Sequence, residues 1–267
     1  MFMDAAFFDL DKTIIARSSP LALGRSFFRE GLISRTFLVK SIYAQLVFQI
    51  TGADEHKMEK VREAASKLTE GWEVERVKQI VTDVLEEVVS PLIYAEALEL
   101  IHDHRAAGRL ICLVSSSPAE IVEPLARMLR IDRYIATRPG VRDGKYTGEL
   151  EFYAYGPQKA EAIRELAEEL DIKLEDSYAY TDSVTDLPML EMVGNPVAVN
   201  PDKELRKIAL QREWETQVFR KPVSVRDRLP TIRPPEMSIG NGVAAAAGVA
   251  GIAAFAWWAS RRSASKV

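Results

Sequence analysis

The stretch AAFFDLDKTI, residues 5–14, decides how the rest of the chain is read. An apolar run ends in two aspartates, Asp9 and Asp11, one position apart. A short run of this kind predicts a buried strand over residues 3–9. Side chains two apart on a strand face the same way, so Asp9 and Asp11 are expected to leave the strand end together. Their mutual repulsion needs a cation to offset it. Mg²⁺ suits the pair: it is a hard ion that takes one or two carboxylates and completes its shell with phosphate and water oxygens.

Beyond this strand the periodicity changes twice. Residues 15–108 carry no strand pattern. PLALGRSFFREG, SRTFLVKSIYAQLVFQITG, DEHKMEKVREAASKLTEG and EVERVKQIVTDVLEEVVSPL all space apolar residues helically, and several stop at glycine. Strand and helix then alternate: RLICLVSS, PAEIVEPLARMLR, two strands around a turn at Asp143-Gly144, GPQKAEAIRELAEELD, SYAYTDS, TDLPMLEMVG and NPVAVN. That alternation predicts a mostly parallel sheet with helices on both faces. Such sheets bind ligands at the carboxyl ends of their strands.

Three further positions at such ends carry chemistry. The RLICLV strand runs into Ser115-Ser116-Ser117-Pro118, a hydroxyl and backbone N–H source for an anion. Lys159 opens the helix after Gly156-Pro157, against the helix dipole, which a bound phosphate would explain. SYAYTDS ends at Asp182, and Asp186 follows as a second acid pair. Taken singly, each has a plain structural reading: a common D-x-D, a helix cap, a solvated lysine, a turn acid. Their occurrence in this order on one sheet favours the chemical reading.

The same residues resemble the haloacid dehalogenase superfamily, in the subclass that contains phosphoserine phosphatases. FFDLDKT matches its D-x-D-x-T motif, ICLVS its second, Lys159 its third and AYTDSVTD its fourth, over about residues 3–215. The resemblance implies a Rossmann-like doubly wound α/β core, residues 1–14 and 109–218, with an all-helical cap inserted at 15–108. It implies a Mg²⁺-dependent phosphomonoester phosphatase working through an aspartyl-phosphate. Asp9 would be the nucleophile and Asp11 the general acid and base. Asp9, the Asp11 carbonyl and Asp182 would hold the metal, backed by Asp186. Ser115, Lys159 and Thr13 would contact the phosphate. Phosphoryl transfer to another acceptor, or ligand binding without catalysis, would use the same fold. The sequence departs from the pattern at Lys12, where a small residue is usual, and at Thr181. IARSSP also lacks the acid with which phosphoserine phosphatases meet the substrate amine. Arg17 and Arg25 stand as candidates for an anionic or polar substrate group.

Composition bounds the partners. The chain has 267 residues, with 35 basic against 39 acidic, a net charge of −4 that argues against a nucleic-acid partner. A small phosphorylated substrate needs only a few local cations. The single cysteine, Cys112, excludes an internal disulfide framework and reads as a buried thiol. His102 and His104 do not share a helical face and are expected on the surface. MFMDAAFFDLDK does not read as a signal peptide, so a cytoplasmic catalytic domain is expected. Residues 219–237 read as a proline- and arginine-rich linker. Residues 238–260 read as a membrane anchor that would tether the domain to the inner face of the membrane. The core of that segment, Ile239–Trp258, has 20 uncharged residues, 12 of them Ala or Gly; it ends in Trp257 and Trp258, and Arg261 and Arg262 follow. A tethered domain would also meet lipid or membrane-surface phosphates.

Overall fold

The computed structural model describes residues 3–33 and 66–220. The chain divides into a unit Met1–Leu229 and a second, Pro230–Val267, which lies outside the described residues. So do most of the expected linker, the whole anchor segment and the stretch 34–65, with two expected cap helices. Among the described residues no helix is long and apolar enough to cross a membrane.

Seven strands form one sheet in the order β4-β3-β2-β1-β5-β6-β7. They are β1 (Ala5–Asp9), β2 (Leu110–Pro118), β3 (Arg133–Arg142), β4 (Lys145–Phe152), β5 (Tyr178–Thr181), β6 (Asn195–Val199) and β7 (Glu215–Gln217). Only the β3–β4 pair is antiparallel, joined through Asp143 and Gly144, both at positive φ as a tight hairpin turn requires. The predicted parallel α/β sheet is therefore present, with an antiparallel edge.

Alternation along β1 splits its side chains between two cores. Ala6 and Phe8 share one with Ile111, Leu113 and Tyr180; Ala5 and Phe7 share the other with Cys112, Val114 and Ala179. Helices cover both faces, which is why β1 is apolar on both sides until Asp9. On the first face lie α2 (Val74–Val84), α3 (Ala95–Ala106) and α4 (Ala119–Met128), through residues such as Val77, Ile101 and Val122. On the second lie α5 (Pro157–Leu170), α6 (Leu187–Glu191) and α7 (Lys203–Gln211), through Ile163, Met189 and Leu205. Burial pushes the Cys112 thiol up, in keeping with an inert group.

Strand order turns around at β1. From it the chain proceeds to β2 and β3 on one side, then to β5, β6 and β7 on the other. The crevice at the carboxyl ends of β1 and β5 is thus the topological switch point, where such sheets bind ligands.

The inserted segment leaves and rejoins this sheet at one place. Ala16 N–H donates to the Leu92 carbonyl at 2.8 Å and Tyr94 N–H to the Ile14 carbonyl at 2.9 Å. Between these crossings lie α1 (Ser19–Arg29) and α2. Helix α3 follows them and packs Ala97 and Ile101 directly on the sheet. At the other end, Phe219 is buried against Tyr94, and Asn200 holds its backbone N–H and carbonyl. Folded structure therefore continues into the stretch read as linker.

One expectation fails outright. His102 is exposed, but His104 is buried, with its Nε2 2.8 Å from the Tyr180 hydroxyl. The cause is spacing: Ala97, Ile101 and His104 stand at i, i+4 and i+7 on the buried stripe of α3. Burial, with Arg109 beside the ring, pushes the imidazole down to about 4. That lies below the unfolded value of about 6.5. Neutral His104 therefore contributes stability that is complete above the unfolded value and is lost as pH falls toward the folded one. Denaturant unfolding of the native chain and of His104→Phe should differ less at low pH than at neutral pH, by about 2–3 kcal/mol. A difference that does not change with pH would contradict this.

Candidate active site

Four segments meet at the switch point. Asp9 closes β1 and is buried. The chain then turns tightly around the Leu10 carbonyl, which accepts from the N–H groups of Ile14 at 2.9 Å and Ile15 at 3.0 Å. This turn holds Asp11, Lys12 and Thr13. Lys12 has φ 62°, the left-handed region that costs a side-chain-bearing residue roughly 1–2 kcal/mol. That explains why a small residue is usual there. Here the lysine reaches the Asp182 carboxylate, Nζ to Oδ2 3.3 Å, which offsets part of the strain.

Lys159 is 3% exposed and lies between two carboxylates, 2.7 Å from Asp9 Oδ1 and 2.9 Å from Asp186 Oδ2. It is delivered by the start of α5, where Gly156 at φ 54° and Pro157 set the turn into the helix. The Thr181 hydroxyl donates to the same Asp186 oxygen at 2.8 Å. Burial opposes the ammonium form of Lys159, but Asp9 and Asp186 outweigh it and hold its pKa above the ordinary value. Burial also raises Asp9 well above the carboxylate range; Lys159 opposes this, while Asp186 and Asp182 add to it. Asp182 is pushed up to about 6 by burial, against the pull of Lys12. Asp11 is raised by burial, against a hydrogen bond from the Ser19 N–H, 2.8 Å to Oδ1.

On the neighbouring strand, β2 breaks register with β3 between Ser115 and Pro118. The break releases Ser116 and Ser117 from regular pairing, just beyond Ser115. Ser115 Oγ accepts from the Ser117 N–H at 3.1 Å, and Ser117 Oγ lies 2.7 Å from Ser19 Oγ. Pro118, not a serine, stands at the start of α4, so the run does not act as a side-chain cap.

The family profile of the haloacid dehalogenase-like hydrolases matches residues 6–191. The chain belongs to that family. A probable phosphatase of Mycobacterium tuberculosis is 50% identical over 250 residues, spanning 94% of this chain and 86% of the relative. A phosphoserine phosphatase of the same organism is 33% identical over 218 residues, spanning 81% and 71%. A solved protein of unknown function from Bordetella pertussis Tohama I has TM-score 0.70 and 27% identity, spanning 81% of this chain and 99% of its own. These relatives place the chain among the phosphatases of the haloacid dehalogenase-like hydrolases.

Every site residue expected from the sequence lies on these segments: Asp9, Asp11, Thr13, Ser115, Lys159, Asp182 and Asp186. Arg17 and Arg25, by contrast, are exposed, without a described contact to this group. Sequence reasoning missed the supporting residues. Asp202 caps α7 and also accepts from the Val184 N–H at 2.9 Å, fixing the loop after Asp182. Thr137 holds the Ser116 carbonyl at 2.7 Å. Asp202 stands just before an amphipathic helix, a signal for a cap though not for a site. Thr137 gives no such signal.

The donor set fits a hard divalent cation. Four carboxylates, Asp9, Asp11, Asp182 and Asp186, face the ammonium groups of Lys12 and Lys159, which leaves negative charge in excess. The buried Thr13 hydroxyl has no hydrogen-bond partner among the described residues. No three acidic, histidine or cysteine side chains form a ready cage among the described residues. Mg²⁺ does not require one, since it binds through one or two carboxylates, substrate oxygens and water.

Removing Lys159 should expose how much the two acids depend on it. Lys159→Met leaves buried Asp9 and Asp186 without their cation and is expected to cost about 3–5 kcal/mol of unfolding free energy. Adding Asp186→Asn should recover part of that loss in the same denaturation experiment. Equal stability of Lys159→Met and the native chain would refute the assignment.

Proposed function

We propose that the chain hydrolyses small phosphomonoesters through a covalent phosphoryl group on Asp9, with Mg²⁺ as cofactor. The observation that carries this reading is the buried Lys159 ammonium 2.7 Å from Asp9, with Asp11 two residues on under separate control from Ser19. One carboxylate is thereby held beside a fixed positive charge, while burial raises its neighbour against the pull of the Ser19 hydrogen bond.

Asp9 attacks phosphorus as the bond to the leaving oxygen breaks, and Asp11 gives that oxygen its proton. Asp11, now a carboxylate, takes a proton from water as the water oxygen attacks phosphorus and the bond to Asp9 breaks. Inorganic phosphate leaves, and both aspartates return to their starting forms. Dividing the hydrolysis in this way replaces one difficult displacement by two easier ones. Burial suits Asp11 to this alternation, because a raised pKa favours the protonated form that the first step uses. The Ser115 hydroxyl accepts from the Ser117 N–H, so its own proton is left for a phosphoryl oxygen. Lys159 offsets charge near the transferring group.

Asp9, the Asp11 carbonyl and Asp182 would hold Mg²⁺, with Asp186 behind them. When bound, the ion supplies positive charge against the phosphoryl oxygens. What supports an added cation is that burial raises Asp9, which opposes the ionised form that attack requires.

The substrate class follows from the same features. The segment 15–20 carries no acid to meet an amine, so a phosphoserine preference is not carried over from the relative of that name. We include in the proposal that residues 238–260 tether the domain to the cytoplasmic face of a membrane, which adds surface-borne phosphates to the class. Support for the tether is the uncharged run and its Trp and Arg flank alone.

Asp9→Asn should lower turnover of p-nitrophenyl phosphate by at least about 10³-fold, in the range seen when a covalent nucleophile is lost. A chelator should abolish native turnover and added Mg²⁺ restore it. Retained activity in Asp9→Asn would reject the mechanism, and chelator resistance would reject the metal. For the tether, full-length protein should sediment with membranes and a chain ending at Arg233 should not. Recovery of the full-length chain only in the supernatant would reject it.

A further inference from the structure

We infer that Ser19 and Ser117 are positioning residues that hold the proton-shuttling Asp11 and the phosphate-facing Ser115 in one hydrogen-bonded chain. The inference rests on the roles of Asp11 and Ser115 proposed above.

Its members come from three separate parts of the fold. Asp11 lies in the turn after β1, Ser19 opens α1 in the insertion, and Ser117 and Ser115 lie on the irregular end of β2. The Ser19 N–H donates to Asp11 Oδ1 at 2.8 Å. The Ser19 and Ser117 hydroxyls are 2.7 Å apart. The Ser117 N–H donates to Ser115 Oγ at 3.1 Å. Ser19 and Ser117 are 1% and 4% exposed, so water does not substitute readily for either partner.

The first link uses a helix end. Helix α1 has Ser18 at its cap position, but the Ser18 side chain makes no capping bond. The Ser19 N–H, one of the donors a helix start leaves without an internal partner, goes to Asp11 instead. Asp11 therefore caps the first helix of the insertion from outside it. The Ser19 hydroxyl bears on the same carboxylate. Either hydroxyl of the Ser19–Ser117 pair can be the donor; when Ser117 donates, the Ser19 proton is left to face Asp11. Asp11 is then fixed through the insertion and through β2, not by its own turn alone. A general acid acts only when it lies within hydrogen-bond reach of the departing oxygen. Loss of the Ser19–Ser117 contact should thus weaken proton delivery more than phosphate attack.

Leaving-group dependence reads that difference, because p-nitrophenolate departs with little help from an acid and phenolate needs more. Ser19→Ala and Ser117→Ala are each expected to lower kcat/KM for phenyl phosphate by about 10-fold or more, a partial loss of the roughly 10²–10⁴-fold that general-acid catalysis supplies. For p-nitrophenyl phosphate the loss should stay under about 3-fold, and Ser19→Thr, which keeps the hydroxyl, should restore phenyl phosphate turnover. Equal losses on the two substrates, or no loss on either, would overturn the inference. Asp11→Asn serves as the reference. If it too fails to separate the two substrates, the assignment of Asp11 falls, and this inference with it. If it separates them and both serine variants do not, only the role of the serines falls.

Discussion

The site depends on one buried ammonium. Asp9 comes from the end of β1 and Asp186 from the short helical turn after β5, and burial would disfavour both charges without Lys159 between them. The fold spends a good deal of local structure on that lysine. Gly156 takes φ 54° so that α5 can start directly behind the strand ends, and a Cβ there would come 3.5 Å from the Thr185 carbonyl. The turn that delivers the lysine is thus packed against the loop that delivers Asp186. Thr181 completes the arrangement by donating to the Asp186 oxygen that Lys159 also meets. Both partners meet the same Asp186 oxygen, Oδ2.

Topology decides why the acids gather at β1 and β5. The two strands lie side by side, Phe8 opposite Tyr180, with their chain continuations running to opposite sides of the sheet. The turn after Asp9 and the loop after Thr181 therefore meet at the carboxyl ends of these two strands, where Lys12 reaches Asp182. Beneath these ends the floor is apolar and aromatic. Phe8 stacks on Tyr180 at 4.5 Å between ring centres, and the Tyr180 hydroxyl is tied to buried His104. One residue beyond each of these rings begins the polar chemistry, at Asp9 and Thr181.

How much of this could be read in the chain varies with the range of the cause. The β1 strand and its acids were legible because their signal is local: an apolar run, then like charges two apart. Lys159 was legible because a cation in a helix's first turn conflicts with the dipole. The buried His104 was legible in principle, since its spacing from Ile101 marks the inner face of α3; treating the two histidines as a pair hid it. Lys12 marked a departure without a reason until its left-handed φ and its contact with Asp182 supplied one. Ser19 and Ser117 were beyond reach. They lie 98 positions apart, and each alone looks like a serine beside a helix start. No periodicity signals a contact that only tertiary folding creates.

That last contact bears on how insertions work in this fold. The inserted segment is joined to the sheet by two crossings paired at Ile15 and Ile93. Such a junction holds the base of the insertion, while α1 reaches back from it to Asp11. The inserted segment therefore carries a donor to Asp11, the residue proposed to move the proton. Changing α1, which begins inside IARSSP, would then alter two properties together, the group that is bound and the ease with which it leaves. Selectivity for a substrate and selectivity for a leaving group would be coupled through Ser19, not set by separate parts of the chain.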